Sequence, residues 1–304
     1  MHTDLPSGTR IEYAVHGSPD APALVLITGL GLQMTAWPTS FIEGLAARGF
    51  RVVSFDNRDA GLSSRATSAK RIDLRAAAFK GIMGFPVQPP YTLEDMGSDA
   101  IGLMDKLSID RAHVLGISMG GMIGQVLAAK HRERLRSLTS IMSSSGAMRF
   151  SFHMSAATRA LLSPPPRHAT EAQILEHTEH IWMLIGSPGL QPPRDILRER
   201  LRQSMQRAYN PAGVARQMLA IMASGDRRPL LRTIDTPTLV IHGDRDTLVP
   251  IGAGRDTAAN IRGASFREVA GMGHDLPEPL VPMLVDLVAG HCRQADGGGA
   301  ERAA

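Results

Sequence analysis

One cysteine, Cys292, is the entire thiol content of this 304-residue chain. It makes no internal disulfide, which suits a reducing compartment. Cys292 reads as an inert thiol on a last helix. Lysine is almost as scarce. Only four of the 33 basic residues are lysines, and the arginines are scattered along the chain. Without a dense basic tract to follow a phosphate backbone, a nucleic-acid partner is excluded. The net charge of +4 bears on solubility and non-specific contacts only. There is no run of about 18 apolar residues, so no transmembrane helix and no membrane role are expected. The start, MHTDLPSGTRIEYAVHG, lacks the basic stretch and apolar core of a signal peptide, which makes a cytoplasmic location the expectation. No internal repeat is found.

What is present is a core-forming composition, 43% hydrophobic and 20% charged. The length suits one large domain, or one domain carrying an insertion. RIEYAVHG (10–17) alternates and then turns. ALVLITG (23–29) is a short continuous apolar run, the mark of a strand buried on both faces. RVVSFD (51–56), AHVLGI (112–117) and LRSLTSIMS (135–143) follow as further strands. FIEGLAARGF (41–50), residues 93–107 and GGMIGQVLAAKH (120–131) have helical spacing and lie between them. This alternation predicts a mostly parallel central sheet flanked by helices. From 148 to 226 no buried strand occurs, and SPPPRHAT, GSPGLQPP and YNPAG interrupt helical stretches, which predicts a helical insertion. Strands resume with TPTLVIHG (236–243) and SFREVAG (265–271), and a last helix is expected over 281–292. The predicted division is an α/β core at 1–147 and 227–292, the insertion at 148–226, and a disordered tail at 293–304.

In open parallel sheets, ligands sit at the carboxyl ends of strands. Three strand ends carry chemistry. In GISMGG, Ser118 lies between a strand and a helix, the context in which a G-x-S-x-G turn holds a serine oxygen at the top of a sheet. Side chains at Gly116 and Gly120 would clash there, and the helix N-terminus favours developing negative charge. A chemically idle glycine turn is the bland alternative. VIHGDRDTLVP offers Asp244 and Asp246; Asp246 is taken as the histidine partner and Asp244 as a former of its own turn. VAGMGHDLPEP places His274 in a glycine-flanked loop 28 residues after Asp246. The chain order Ser118, Asp246, His274 is that of one triad class. An oxyanion hole would need two backbone N–H groups, those of Met119 and of Leu30 in ITGLGL, each worth about 3 kcal/mol to a transition state.

Other features read as structural. In DNRDAGLSS, Asp56, Arg58 and Asp59 suit a turn locked by charge-assisted hydrogen bonds better than a substrate clamp. Glu176, His177, Glu179 and His180 have helical spacing and suggest a solvated helix face rather than a metal site. The 16 methionines, among them Met34, Met83, Met119, Met122, Met183 and Met222, read mostly as core filling. Met34 and Met122, with Trp37 and Trp182, are candidates for a substrate pocket wall. Residues 76–92 read as a long loop at the pocket mouth.

DNRDAGLSS, GISMGG, GDRD and GMGHDLPEP together resemble the α/β-hydrolase superfamily over residues 9–291, most nearly bacterial carboxylesterases of the aclacinomycin methylesterase group. The resemblance implies the α/β-hydrolase fold, with Ser118 as nucleophile, His274 as general base, Asp246 as its orienter and 148–226 as a helical cap. It implies hydrolysis of a small-molecule carboxylic ester through an acyl-enzyme, without metal or other cofactor. Lactone opening, perhydrolysis or cofactor-free haloperoxidation, acyl transfer and carbon–carbon bond hydrolysis use the same triad. A ligand-sensing protein on a hydrolase scaffold is the reading from another class. The chain departs from many relatives in carrying Thr28-Gly29 where they carry His-Gly. Monomer and homodimer remain equally open.

Overall fold

The computed structural model describes residues 1–66, 74–83, 85–151, 155–163, 165–166 and 168–302. Residues 164 and 167 of the SPPPRHAT breaker, residue 84 of the 76–92 segment, and residues 303–304 of the tail lie outside the described residues. The strands are β1 (His2–Asp4), β2 (Arg10–His16), β3 (Ala23–Ile27), β4 (Arg51–Phe55), β5 (Ala112–Ile117), β6 (Leu135–Ile141), β7 (Thr238–Gly243) and β8 (Ser265–Val269). They form one sheet in the order β1-β2-β4-β3-β5-β6-β7-β8. β1 and β2 pair antiparallel, as do β2 and β4; the remaining pairs are parallel. Every residue of β3, β5 and β7 is buried, as their unbroken apolar runs require. β8, at the edge, exposes Ser265 and the charged Arg267 and Glu268, whose charges discourage further pairing.

The helices are α1 (Thr39–Ala47), α2 (Leu74–Ile82), α3 (Leu93–Lys106), α4 (Met119–Lys130), α5 (Met148–Ser151), α6 (Ala156–Leu161), α7 (Glu171–Ile185), α8 (Arg194–Arg207), α9 (Pro211–Ser224), α10 (Arg228–Leu231), α11 (Ile251–Ala259) and α12 (Val281–Arg302). The pleat divides β3 between two cores. Ala23, Val25 and Ile27 join the core under α3 and α4, whereas Leu24 and Leu26 join the core under α1 and α12. Helices α5 to α9 all lie between β6 and β7. Among the described residues no helix is long and apolar enough to cross a membrane.

Three local readings are corrected. β1 was not expected; its pairing with Arg10–Glu12 needs a partner three residues long and leaves little sequence signal. The segment read as a loop over 76–92 starts within helix α2, which packs on α9. The tail read as disordered continues the last helix to Arg302. Asp296, beyond the expected helix end, accepts a hydrogen bond from Arg136 at 3.0 Å and lies 3.3 Å from His113 Nε2. These contacts tie the helix to β5 and β6 just ahead of Gly297, Gly298 and Gly299, residues of low helix propensity. His113 Nδ1 lies 2.9 Å from Ser137 Oγ, so a Ser–His–Asp array also exists beneath the sheet, but His113 and Ser137 are wholly buried and serve the anchor.

Candidate active site

Ser118 is the single residue between β5 and α4, with φ +53° and ψ −118°. A non-glycine residue in this region costs on the order of 1–3 kcal/mol, so its surroundings must enforce it. They do. The Ser118 N–H donates to Ile141 O at 2.9 Å, and Ser143 Oγ–H donates to Ser118 O at 2.7 Å. A Cβ on Gly116 would lie 2.1 Å from Gly120 O, and one on Gly120 would lie 2.0 Å from Ile27 O. Backbone cannot yield there, so both positions admit only glycine.

Asp246 lies beyond β7 and His274 beyond β8, the second and third strands from β5. His274 Nδ1 is 2.7 Å from Asp246 Oδ2, and both side chains are nearly enclosed. Asp246 Oδ1 accepts the N–H groups of Leu248 and Val249 at 2.9 and 2.8 Å. Burial would raise this carboxyl's pKa, but the facing His274 and His242 hold it well below the usual carboxylate range. Nδ1 is committed to Asp246, which leaves Nε2 as the second ring nitrogen of His274, free of that contact. The roles read for the two aspartates are partly exchanged. Asp246 makes the local turn bonds as well as the histidine contact, whereas Asp244 accepts the Gly271 N–H at 2.6 Å and ties the two loops together.

His242 was missed. Its Nε2 lies 2.8 Å from Val249 O and 3.3 Å from Asp246 Oδ2, both acceptors, so Nε2 carries the proton. Residues at and just before the GSPGLQPP breaker were missed too. Ile185 O accepts the His274 N–H at 2.7 Å, and Leu184 O accepts Thr247 Oγ–H at 2.7 Å. Ser187 Oγ accepts the Gly273 N–H and donates to Asp275. Main-chain acceptors have no residue signature, so no pattern in the sequence announces the first two.

The loop after β3 approaches the serine: a Cβ on Gly29 would lie 3.3 Å from Ser118 Cβ. Thr28 Oγ–H donates to Leu32 O at 3.1 Å, and Asn57 Nδ2 donates to Thr28 O at 3.2 Å. Gln217, on α9, accepts the Gly31 N–H at 2.8 Å. Neither the Leu30 nor the Met119 amide donates to another described residue.

Residues 22–278 match the family described as alpha/beta hydrolase fold. The chain belongs to that family. Rhodomycin D methylesterase DauP from Streptomyces sp. (strain C5) is 29% identical over 92% of this chain and 93% of its own length. 3-Oxoadipate enol-lactonase 2 from Acinetobacter baylyi is 28% identical over 81% of this chain and 79% of its own. The enol-lactonase structure from Burkholderia xenovorans LB400 superposes with a TM-score of 0.73 at 24% identity, covering 96% of this chain and 99% of its own, and shows the fold. The resemblance read from the motifs and the α/β-hydrolase fold are both borne out.

Within this alpha/beta hydrolase, the turn at 56–64 fastens the inserted helices. Asp56, wholly buried, receives the N–H groups of Met34 and Leu62 and pairs with Arg207 of α8 at 2.8 Å. Asp59 receives a two-bond fork from Arg216 of α9, each bond 2.7 Å. Arg58 forks onto Asp99 at 2.6 and 2.7 Å. The four tentative pocket residues belong to different parts of the structure. Met34 is half-buried in the loop after β3; Met122 joins the core under α4; Trp182 packs on Leu175, Leu197 and Leu201 among the inserted helices. Trp37 stacks on Phe41 in the core under α1, and its Nε1 has no partner among the described residues. Glu179 departs from the expected solvated face: it is buried and ion-paired with Arg194 and Arg198. Among the described residues no grouping of three His, Cys, Asp or Glu side chains suits a metal.

Proposed function

We propose that this protein is a serine carboxylesterase acting on small-molecule esters, with residues 148–226 as a helical cap over the site. The reading rests first on one observation, the Asp246–His274 hydrogen bond at the same sheet end as a serine held at positive φ. His274 Nε2 takes the Ser118 Oγ proton as the oxygen attacks the ester carbonyl. The Leu30 and Met119 amides receive the oxyanion. The carbon–oxygen bond to the alcohol then breaks, and the alcohol leaves with the proton from His274. Water gives a proton to His274 as its oxygen attacks the acyl carbonyl; the acyl–Oγ bond then breaks, His274 returns the proton to Ser118 Oγ, and the acid leaves. Asp246 holds the Nδ1–H tautomer and stabilises the transient imidazolium. A methylesterase among the relatives supports this reaction class.

Lactone opening is the second reading, supported by the enol-lactonase relative. It differs only in that the leaving alcohol stays tethered to the acyl group.

A p-nitrophenyl ester series from acetate to decanoate, run on wild type and Ser118→Ala together, tests the reading. Ser118→Ala is expected to lower kcat on the order of 10⁶-fold. Equal hydrolysis by both proteins would sink the nucleophile assignment. With an enol-lactone added to the panel, wild-type activity confined to that lactone would select the second reading, and activity on neither class would favour a ligand-sensing role.

A further inference from the structure

The loop from Thr28 to Leu32 carries one of the two oxyanion donors, and four of its hydrogen bonds are visible. Asn57 Nδ2 holds the Thr28 carbonyl. Leu32 N–H donates to Gly29 O at 3.2 Å. Thr28 Oγ–H holds the Leu32 carbonyl. Gln217 Oε1 accepts the Gly31 N–H at 2.8 Å. In the peptide joining Gly29 to Leu30, the carbonyl is therefore engaged. Because a trans peptide places C=O and N–H on opposite sides, its N–H faces away from that bond. A flip of this peptide would reverse both groups and remove the donor.

Gly31 is the residue through which such a flip would be relayed. Its φ is +67°, and a Cβ there would lie 2.8 Å from Val214 of α9. It has the backbone freedom to relax and no side chain to resist it. The restraint comes from Gln217, one turn beyond Val214. Gln217 is wholly buried on the inner face of α9, and its Nε2 donates to Arg58 O at 2.8 Å. Its amide is thus held from behind in the orientation that presents Oε1 to Gly31.

We infer that Gln217 is a positioning residue: through the Gly31 N–H it sets the Leu30 peptide so that its N–H is available to an oxyanion. The cap, through α9, thereby supports transition-state binding as well as enclosing substrate. This rests on the esterase reading for its kinetic consequence, and on geometry alone for the restraint.

The test is Gln217→Met, which keeps length and volume but loses both hydrogen bonds. Expected are a fall in kcat of about 10- to 100-fold, KM within about twofold, and an equal fall in affinity for phenylboronic acid, whose serine adduct mimics the oxyanion. Unchanged kcat in the folded variant, or a rise in KM alone, would overturn the inference. Amide exchange is the readout that needs no activity. Gly31 is expected to exchange slowly in wild type and at least tenfold faster in Gln217→Met. Should the variant not fold, rapid exchange of Gly31 in the wild type would by itself overturn the inference, and slow exchange would support it. Absence of wild-type ester or lactone hydrolysis would sink the proposed function, and the exchange comparison would still decide the role of Gln217.

Discussion

Asp246 concentrates more bonding than any other side chain of the site: two backbone N–H groups on one oxygen, and two histidines on the other. A carboxylate so supplied stays ionised and fixed, which is what a histidine needs to keep its proton on Nδ1. Asp246→Asn removes the charge and lets an amide N–H face Nδ1, which favours the other tautomer. The expected loss in kcat is on the order of 10⁴-fold, with the fold retained. A loss below tenfold in steady-state ester hydrolysis would assign the orienting role elsewhere. Ser118 shows the complementary principle at this scale. Its strained backbone is held by glycines whose absent Cβ atoms are essential, because the nearest atoms are main chain.

At the scale of elements, helices α8 and α9 are attached to the sheet by buried ion pairs as well as by apolar packing. Arg216 and Asp59 are almost fully desolvated, and Tyr91 O–H adds a bond to Asp59 at 2.7 Å. Removing one partner of such a pair leaves an uncompensated buried charge, which costs about 3–5 kcal/mol. Arg216→Met is therefore expected to destabilise the protein by about 3 kcal/mol. Denaturant unfolding with a midpoint equal to wild type would show that the pair contributes nothing net. The variant is also expected to lose activity beyond its loss of stability, because Arg216 is the chain neighbour of Gln217 and both are buried in α9, where Arg216 binds Asp59 and Gln217 binds the carbonyl of the adjacent Arg58.

For the whole molecule, His113 makes stability depend on pH. Burial pushes its pKa down to about 4, against the opposing pull of Asp296, with Arg136 and His291 also nearby. Above about pH 6.5 the imidazole is neutral folded or unfolded, and the term vanishes. Between 6.5 and 4 the unfolded chain takes up a proton that the folded chain does not, so stability falls as pH falls. The expected decline is about 3 kcal/mol by pH 4. His113→Gln should flatten the unfolding free energy across this window. An unchanged slope would place the titration on other groups.

The sequence by itself determined the order of the parallel elements and the three strand-end loops. Each of these depends on local rules: unbroken apolar runs for strands buried on both faces, and glycines where backbone meets backbone. Family and fold followed from the same residues. Only the tertiary structure decided what holds these loops. His242 behind Asp246, Ile185 behind His274 and Gln217 behind Gly31 are each remote from, or unmarked beside, the residue they support. The anchoring of the last helix likewise rests on Asp296 reaching Arg136 of β6 and His113 of β5. A hydrogen bond is short-ranged in space and indifferent to separation along the chain. Its partners are therefore found only where folding brings them, and a main-chain carbonyl gives no residue type by which to find it earlier.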